Sequence, residues 1–450
     1  MLGAVPRPAS LLLAFALAAA PGPSRATPEV LGPVLLSYGR DASNSQPAVV
    51  VDGSGRVHVM WCREPLAKGD TPRVGTLVHS VLEDGRWTST NRIASTEGTD
   101  FWRIDRPQAG VSPEGRLHVV WGAQSGVWTA GAGASRAHRD GAWSKPRLAA
   151  SVPSVRSVDF LLARDGSWHL VYATNGSDLG GDGSVGYARS LDGGRQWSPP
   201  HRLAGASDPA TEVQAEPRIV EDPAGRLHVA WFTARAPRWL GDKVLYARSE
   251  DRGLTWSEPR ELATMETEDF RIDSPLLAAT SQHDLYLLFV CGTPASRCAR
   301  TSTDGGSSWQ PRESIFEGLE GKAGNEELQV DGAGTLHFVG QLRYPKGVYY
   351  MRKELGEAWD QPLLAIRQPG FEDAHQIGVA LGPEGLYAVW ERSARAEFAD
   401  VTFARIGAQV AWVGGVRSHE SPRRPLAAGL YFAVALGLVA VVFATLRRGA

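Results

Sequence analysis

Short apolar stretches recur along the chain, and many share the pattern Gly-x-Leu-His-Val-x-Trp or a close variant of it. Seven copies begin, in chain order, at Gly55, Gly115, Gly166, Gly225, Asp284, Gly334 and Gly385. A second apolar stretch precedes most copies, as at 47–51 and 217–220. Runs of this length, separated by turns that contain Gly and Asp, are typical of β-strands joined as hairpins.

A second hairpin follows most of the first ones, and its turn has the pattern Ser-x-Asp-x-Gly-x-x-Trp. Complete copies occupy 190–197, 249–256 and 302–309, and weaker ones occupy 83–87, 139–143, 356–359 and 407–412. The Asp side chain can accept hydrogen bonds from nearby backbone N–H groups, and Gly adopts the positive φ of a tight turn. We expect each Trp to begin the next strand and to pack back on its turn.

The tryptophans of these turns recur at a nearly constant spacing. The steps from Trp87 to Trp412 are 56, 54, 59, 53, 50 and 53 residues. Repeats of roughly 50 residues are typical of sheets arranged radially. Two hairpins per repeat make one four-stranded antiparallel sheet. The sequence therefore predicts an all-β fold of seven such sheets, and residues 34–38 are a candidate for a strand that closes the ring against the last one.

The tryptophan turn resembles the Asp box of sialidase-superfamily β-propellers, also known as the BNR repeat. The resemblance covers nearly all of the chain between its two hydrophobic ends. It implies a seven-bladed β-propeller over residues 27–415, with a six-bladed one as the alternative because familiar sialidases have six blades.

Both ends of the chain have the features of targeting segments. Residues 1–26 predict a secretory signal peptide, with an uncleaved anchor as the alternative. Residues 426–446 carry no charge and are long enough to cross a bilayer as a helix, after a linker at 416–425 and before a tail at 447–450. These features predict a membrane-anchored protein whose propeller is extracytoplasmic, in the periplasm or at the cell surface. A sorting signal that is later cleaved is an alternative to a permanent anchor.

Composition narrows the choice of partners. The chain has 47 Lys and Arg against 49 Asp and Glu, a net charge of −2 that gives no support to a nucleic-acid partner. Cys291 and Cys298 flank a six-residue loop and are either a disulfide or two reduced thiols, whereas Cys62 is left over. No Cys/His spacing indicates zinc, so we expect no metal or other cofactor.

A histidine recurs at one position of the second strand. Five copies carry it, namely His58, His118, His169, His228 and His337, and Tyr286 and Tyr387 replace it in the other two. Both faces of a blade are covered by neighbouring blades, and buried polar groups find hydrogen-bond partners. We expect packed, hydrogen-bonded structural histidines rather than metal ligands.

The candidate site lies on the face where the first strands begin. Segments 103–107 and 270–275 resemble the sialidase Phe-Arg-Ile-Pro motif, with Asp and one further residue inserted before Pro. The resemblance implies that Arg103 or Arg271 binds a substrate carboxylate. Further residues follow from the same resemblance: Arg235, Arg343 and Arg392 as other carboxylate ligands, Tyr349 or Tyr350 as nucleophile with Glu216 as its partner, and Asp105 as the acid.

Two functions are compatible with these patterns. One is a non-catalytic, membrane-anchored module that binds a glycan or a cell-surface protein, in which Arg-Ile-Asp is a duplicated ion pair at the strand entry. The other is an exo-acting glycoside hydrolase of sialidase type that acts on surface glycans. Fold alone does not decide between these two functions. The sequence slightly favours the non-catalytic module.

Overall fold

A computed structural model describes residues 28–407 except for short gaps, and these residues form seven antiparallel sheets. The gaps are 38–41, 67–73, 84, 98–103, 113, 133–142, 238, 268–270, 282, 293–295, 317–325, 344–345, 368–372 and 396–397. In the described part of the chain no helix is both long and apolar enough to span a membrane. The predicted signal peptide at 1–26, the linker at 416–425, the apolar segment at 426–446 and the tail at 447–450 lie outside the described residues.

The first three sheets, blades 1 to 3, take up the first half of the ring. Blade 1 contains β2 (Ala42–Val51), β3 (Val57–Pro65), β4 (Thr76–Glu83) and the short strands β5 (Arg86–Trp87) and β6 (Asn91–Ser95), which both pair with β4. Blade 2 contains β7 (Asp105–Val111), β8 (Leu117–Ala123), β9 (Gly126–Ala132) and β10 (Arg147–Ala150). Blade 3 contains β11 (Val155–Leu162), β12 (Trp168–Thr174), β13 (Val185–Ser190) and β14 (His201–Ala204), with a 3₁₀ turn at Ser177–Leu179.

Blades 4 to 7 repeat the same order of strands. Blade 4 contains β15 (Glu212–Glu221), β16 (Leu227–Arg235), β17 (Leu240–Ser249) and β18 (Arg260–Thr264). Blade 5 contains β19 (Ile272–Ala279), β20 (Leu285–Cys291), β21 (Ser296–Ser302) and β22 (Glu313–Ile315). Blade 6 contains β23 (Glu326–Val330), β24 (Leu336–Arg343), β25 (Lys346–Lys353) and β26 (Leu363–Arg367). Blade 7 contains β27 (Asp373–Gly382), β28 (Gly385–Arg395), β29 (Phe398–Gly407) and the N-terminal β1 (Glu29–Leu35).

The N-terminal strand closes the ring. β1 pairs antiparallel with β29, from Glu29 opposite Gly407 to Leu35 opposite Thr402. The innermost strands contact one another around the axis, and β27 of the last blade meets β2 of the first. The prediction of seven blades is confirmed and the six-bladed alternative is wrong. The closing strand is also confirmed, but it spans Glu29–Leu35 rather than 34–38.

Hydrophobic clusters lie between blades rather than inside them. One cluster joins Val244 and Leu262 of blade 4 to Leu285 and Phe289 of blade 5. The tryptophans that end the repeated pattern are almost fully buried, and Trp231 Nε1 donates to Gln214 Oε1 at 2.7 Å. Each blade therefore buries both faces against its neighbours, which explains the apolar run in the second strand of each blade.

The Asp-box turns form as predicted, and those of blades 4 and 5 contact the preceding blade. Asp251 Oδ1 accepts from the backbone N–H of Thr255 at 2.8 Å and from Ser249 Oγ at 2.8 Å. The Trp256 ring contacts Tyr187 of the preceding blade, with ring centroids 4.9 Å apart. A Cβ on the equivalent box glycine of blade 5, Gly306, would collide with the hydroxyl of Tyr246, again from the preceding blade. The box is thus a joint between blades.

Four of the five recurring histidines are buried and hydrogen-bonded, as predicted, whereas His118 is buried against Trp168 and its Nε2 has no hydrogen-bond partner among the described residues. His228 Nδ1 lies 2.7 Å from the Tyr246 hydroxyl, and its Nε2 lies 3.2 Å from Asp222 Oδ2. His169 forms the same contact with Tyr187 at 2.7 Å. Burial is the main cause that lowers the pKa of His169, to about 4. These side chains belong to the packing of the blades.

Acid is expected to destabilise the propeller through these histidines. As pH falls, unfolded chains take up the proton near the ordinary pKa of about 6.5, whereas folded His169 does so near 4, so its contribution is complete above 6.5 and is lost toward 4. His169 alone should lower the free energy of unfolding by about 2 kcal/mol between pH 7 and pH 5. Urea unfolding at both pH values measures it. An unchanged pH difference in His169→Asn would contradict this assignment.

The two loop cysteines are bonded to each other. Cys291 and Cys298 form a disulfide between β20 and β21, with Cα atoms 5.8 Å apart. Cys62 is a buried free thiol on β3. Of the two alternatives for Cys291 and Cys298, the structure has the disulfide.

Candidate functional site

The innermost strands of all seven blades surround a central cavity of about 1630 Å³. Its wall is aliphatic along much of its length, with residues such as Val49, Ile219 and Leu328. Charged and amide side chains gather where the innermost strands begin, which we call the axial mouth. Central cavities of propellers are common places for ligands, so the axial mouth is the candidate site.

A bulge near the start of five innermost strands turns one residue toward the cavity. These residues have positive φ and all line the cavity: Gln46 (54°), Arg106 (40°), Glu216 (47°), Ser274 (50°) and Gln376 (50°). The strand register shifts at each of them. Proline follows four of the five, and because proline has no N–H, the ladder of hydrogen bonds is interrupted there. The bulges thereby select which side chains face the axis.

Arg106 and Arg218, two arginines of the axial mouth, are each held by a carboxylate. Arg106 Nη2 lies 2.9 Å from Glu216 Oε1, and Arg218 Nη2 lies 2.9 Å from Glu327 Oε1. Burial tends to raise the pKa of Glu216, but Arg106 and then Arg218 outweigh burial and lower it. The mouth is therefore a network of paired charges rather than a cluster of unpaired positive ones.

Two buried carboxylates sit deeper in the same wall. Asp273 Oδ2 is bonded to Arg271 Nε, and Glu326 Oε2 is bonded to Arg297. Burial raises the pKa of both carboxyls, and the paired arginines oppose that rise. Their other oxygens, Asp273 Oδ1 and Glu326 Oε1, accept no hydrogen bond from any described residue. A buried acceptor in this state is a place where a ligand donor is favoured.

One large aromatic side chain stands at the rim of the mouth. Trp239 lines the cavity and is 44% exposed, which is high for an indole. It lies in the turn between β16 and β17, and its backbone N–H donates to the Arg235 carbonyl at 2.8 Å. Arg235 is fixed in turn by Glu212 Oε2 at 2.8 Å and by Asp242 Oδ2 at 3.1 Å. The indole is thus presented by a turn that ion pairs hold in place.

Three of the predicted site residues come to the axial mouth or beside it. Glu216 and Arg271 line the cavity. Asp105 is buried next to it, where Gln46 Nε2 donates to its Oδ1 at 3.4 Å. The same glutamine accepts from the backbone N–H of Arg106 at 2.7 Å. Arg103 lies outside the described residues.

The predicted nucleophiles and the other predicted arginines are placed differently. Tyr349 and Tyr350 lie on β25, the third strand of blade 6, in the hydrophobic clusters between blades. Tyr350 bonds to His337 Nδ1 at 2.9 Å. Among the described residues that line the cavity there is no tyrosine. Arg235 and Arg392 stand on second strands away from that lining, and the side chain of Arg343, the last residue of β24, lies outside the described part.

Sequence reasoning missed several residues of the mouth. Gln46, Arg106, Arg218 and Trp239 were not predicted, and Asp273 entered only as part of an ion pair. The residue before proline at the start of the first strand would have identified two of them, since Gln46, Arg106, Glu216 and Ser274 share that position. Within the described ranges, no three His, Cys, Asp or Glu side chains are grouped so as to hold a metal ion.

Comparison with known proteins finds a related domain in the middle of the propeller. Residues 126–315, which run from β9 to β22 and include the three complete Asp boxes, match the BNR repeat-like domain. Residues 126–315 therefore carry a BNR repeat-like domain, which lies within the seven-bladed β-propeller. No curated protein sequence matches this propeller.

Solved structures similar to the propeller cover most of it at low identity. A protein of unknown function from Dyadobacter fermentans has 15% identity and a TM-score of 0.52, over 84% of this chain and 99% of its own. The polysaccharide lyase Uly1 has 13% identity and a TM-score of 0.53, over 82% and 91%. The NanB sialidase from Streptococcus pneumoniae has 10% identity and a TM-score of 0.46, over 83% and 70%. The first two likenesses show the fold alone.

Proposed function

We propose that the propeller binds a glycan at the axial mouth without cleaving it. The observation that carries this proposal is the composition of the mouth: Arg106, Arg218 and Arg271 are paired with carboxylates, and an exposed indole stands at its rim. Sugars offer hydroxyl groups to planar polar side chains and an apolar face to an aromatic ring. A large cavity with a few fixed polar groups suits such a ligand.

The same composition argues against cleavage of sialidase type. That chemistry uses arginines to bind a substrate carboxylate and a tyrosine as nucleophile. Here Arg106, Arg218 and Arg271 are each bonded to a carboxylate of the protein. Tyr349 and Tyr350 pack between blades. A substrate carboxylate would therefore compete with carboxylates already in place.

Trp239→Ala tests the proposal. Loss of an aromatic stacking surface should weaken glycan binding at least tenfold, an effect of about 1.4 kcal/mol. Stability should hardly change, because the indole is 44% exposed. Isothermal titration calorimetry of the purified protein measures affinity, and thermal unfolding measures stability. Leu254→Ala, an exposed residue of an Asp-box turn 64% accessible to solvent, is the matched control and should bind as wild type. Equal affinity of Trp239→Ala and wild type would contradict this site.

The exo-acting hydrolase remains a second candidate because of one observation. Glu216 and Asp273 lie on neighbouring innermost strands, and their surroundings push their pKa values in opposite directions. Such divergence is what an acid and base pair requires. Turnover of a panel of aryl glycosides between pH 4 and pH 7, abolished by Glu216→Gln, would support it. Absence of turnover with glycans that bind would eliminate it.

We also propose that the apolar segment at 426–446 anchors the propeller to a membrane, with the axial mouth on the extracytoplasmic side. Its support is the uncharged length of that segment and the apolar run at 1–26. Membrane fractionation followed by protease treatment of intact cells tests both parts. Protein that stays soluble, or that is protected from external protease after removal of any outer barrier, would overturn them.

A further inference from the structure

Two buried carboxylates of the axial mouth each have one oxygen without a hydrogen-bond partner among the described residues. Asp273 and Glu326 are 1% and 3% exposed, and each uses one oxygen for an arginine. Asp273 Oδ1 and Glu326 Oε1 accept nothing from the described residues. The hydroxyl of the neighbouring Ser274 lies 3.4 Å from Glu216 Oε2, and a hydrogen bond from Ser274 also contributes to lowering the pKa of Asp273. Burial of an acceptor without a donor is unfavourable, so these two atoms favour a ligand that brings donors.

The two carboxylates are close enough to act on one ligand. They lie on β19 and β23, which are neighbouring innermost strands, and both line the cavity. After burial, which is the main cause, the charge of Asp273 contributes to raising the pKa of Glu326. Burial raises the pKa of both carboxyls, and their contacts with Arg271 and Arg297 oppose that rise.

The charge of the site sets which ligands it accepts. Arg271 and Arg297 donate to Asp273 and Glu326. The one remaining oxygen of each of these two carboxylates is an acceptor. A sugar hydroxyl can donate to them. A sugar carboxylate cannot, and it would be repelled by both.

We propose that Asp273 and Glu326 bind hydroxyl groups of a neutral sugar, and that the axial mouth discriminates against sugars that carry a carboxylate. This inference rests on the proposed glycan binding and gives it a ligand class. It also separates the protein from the ligand that the sialidase resemblance implies.

A panel of glycans tests the inference on the wild-type protein. Calorimetry at pH 7 would use cellohexaose, xylohexaose, arabinohexaose and mannohexaose as neutral ligands, with hexagalacturonate and 3′-sialyllactose as acidic ones. At least one neutral ligand should bind, and both acidic ligands should bind at least tenfold more weakly than it does. Binding of an acidic ligand more tightly than every neutral one would overturn the inference.

Asp273→Asn and Glu326→Gln then test the two residues. Because arginine only donates, each amide would turn its carbonyl to the arginine and its NH₂ toward the ligand, so that an acceptor becomes a donor. Each variant should bind the neutral ligand at least tenfold more weakly. Asp273→Asn is the safer variant for folding, since its partner Arg271 is partly exposed whereas Arg297 is buried. Unchanged affinity in Asp273→Asn, with thermal unfolding like wild type, would overturn the inference.

The outcomes separate this inference from the proposed function. Preference for an acidic ligand, with that binding lost in Trp239→Ala, would keep glycan binding at the axial mouth and overturn the neutral-sugar inference. Failure of every ligand of the panel to bind would overturn both. Preference for a neutral ligand, lost in Trp239→Ala and in Asp273→Asn, is the expected result.

Discussion

Replacement of Arg297 by methionine is expected to lower the free energy of unfolding by about 3–5 kcal/mol, as is typical when one partner of a buried ion pair is removed. Arg297 on β21 and Glu326 on β23 join blades 5 and 6, and their side chains are 0% and 1% exposed. Without the guanidinium, Glu326 would be a buried carboxylate without its cation. Burial already raises its pKa, and nothing from Arg297 would then oppose that rise. Urea unfolding at pH 7 measures the loss.

A matched pair distinguishes burial from ion pairing itself. Lys243 and Glu261 form a cross-strand ion pair at 2.8 Å in blade 4, but their side chains are 36% and 43% exposed. Lys243→Met should therefore cost less than about 1 kcal/mol. The double variant Arg297→Met/Glu326→Leu should recover most of the loss, because an apolar pair needs no compensation. A double variant as unstable as Arg297→Met would show that the loss comes from packing rather than from the buried charge.

The architecture could be predicted because it repeats. The spacing from Trp87 to Trp412 gave the number of blades, and the Gly-x-Leu-His-Val-x-Trp pattern gave the second strand of each. Every blade buries both faces, so the same residue types recur at the same positions. The closing strand was found but misplaced, since its pairing is set by backbone register with β29, on which residues 34–38 carry no signal.

The axial mouth could be predicted only as a region. The side chains of a strand alternate, and one extra residue in a bulge reverses which of them faces the axis. In 103–107 the Arg-Ile-Asp motif drew attention to Arg103 and Asp105, but the bulge turns Arg106 into the cavity. The family motif therefore named a segment that reaches the axial mouth but did not mark Arg106, the side chain that the bulge selects.

The tyrosines show a second limit of sequence reasoning. The resemblance to sialidases implied Tyr349 or Tyr350 as the nucleophile. Only the innermost strand of a blade faces the axis, whereas β25 is the third strand and packs between blades. Neither periodicity nor residue type reports how far a strand lies from the axis.

The turn that sequence analysis did not single out is expected to matter more for stability than the Asp box. Asp222 directly follows the first strand of blade 4 and is fully buried. Its carboxylate accepts from the backbone N–H groups of Ala224 at 2.9 Å and Arg226 at 3.0 Å, and from Arg226 Nε at 2.7 Å. It also lies 3.2 Å from His228 Nε2. Burial raises the pKa of Asp222, but these partners, His228 first, lower it to about 2.

Asp222→Ala should therefore lower the free energy of unfolding by about 3–5 kcal/mol, because it leaves a buried histidine and a mostly buried arginine without their acceptor. Asp251→Ala removes the box aspartate of the same blade and should cost about 1 kcal/mol, as an exposed side-chain cap does. Urea unfolding of both variants at pH 7 compares them. The order would be reversed if the box were the principal support of the blade, and equal losses would mean that burial of the turn does not govern its contribution. We expect Asp222 to dominate because its hydrogen bonds are shielded from water, whereas water can replace those of Asp251.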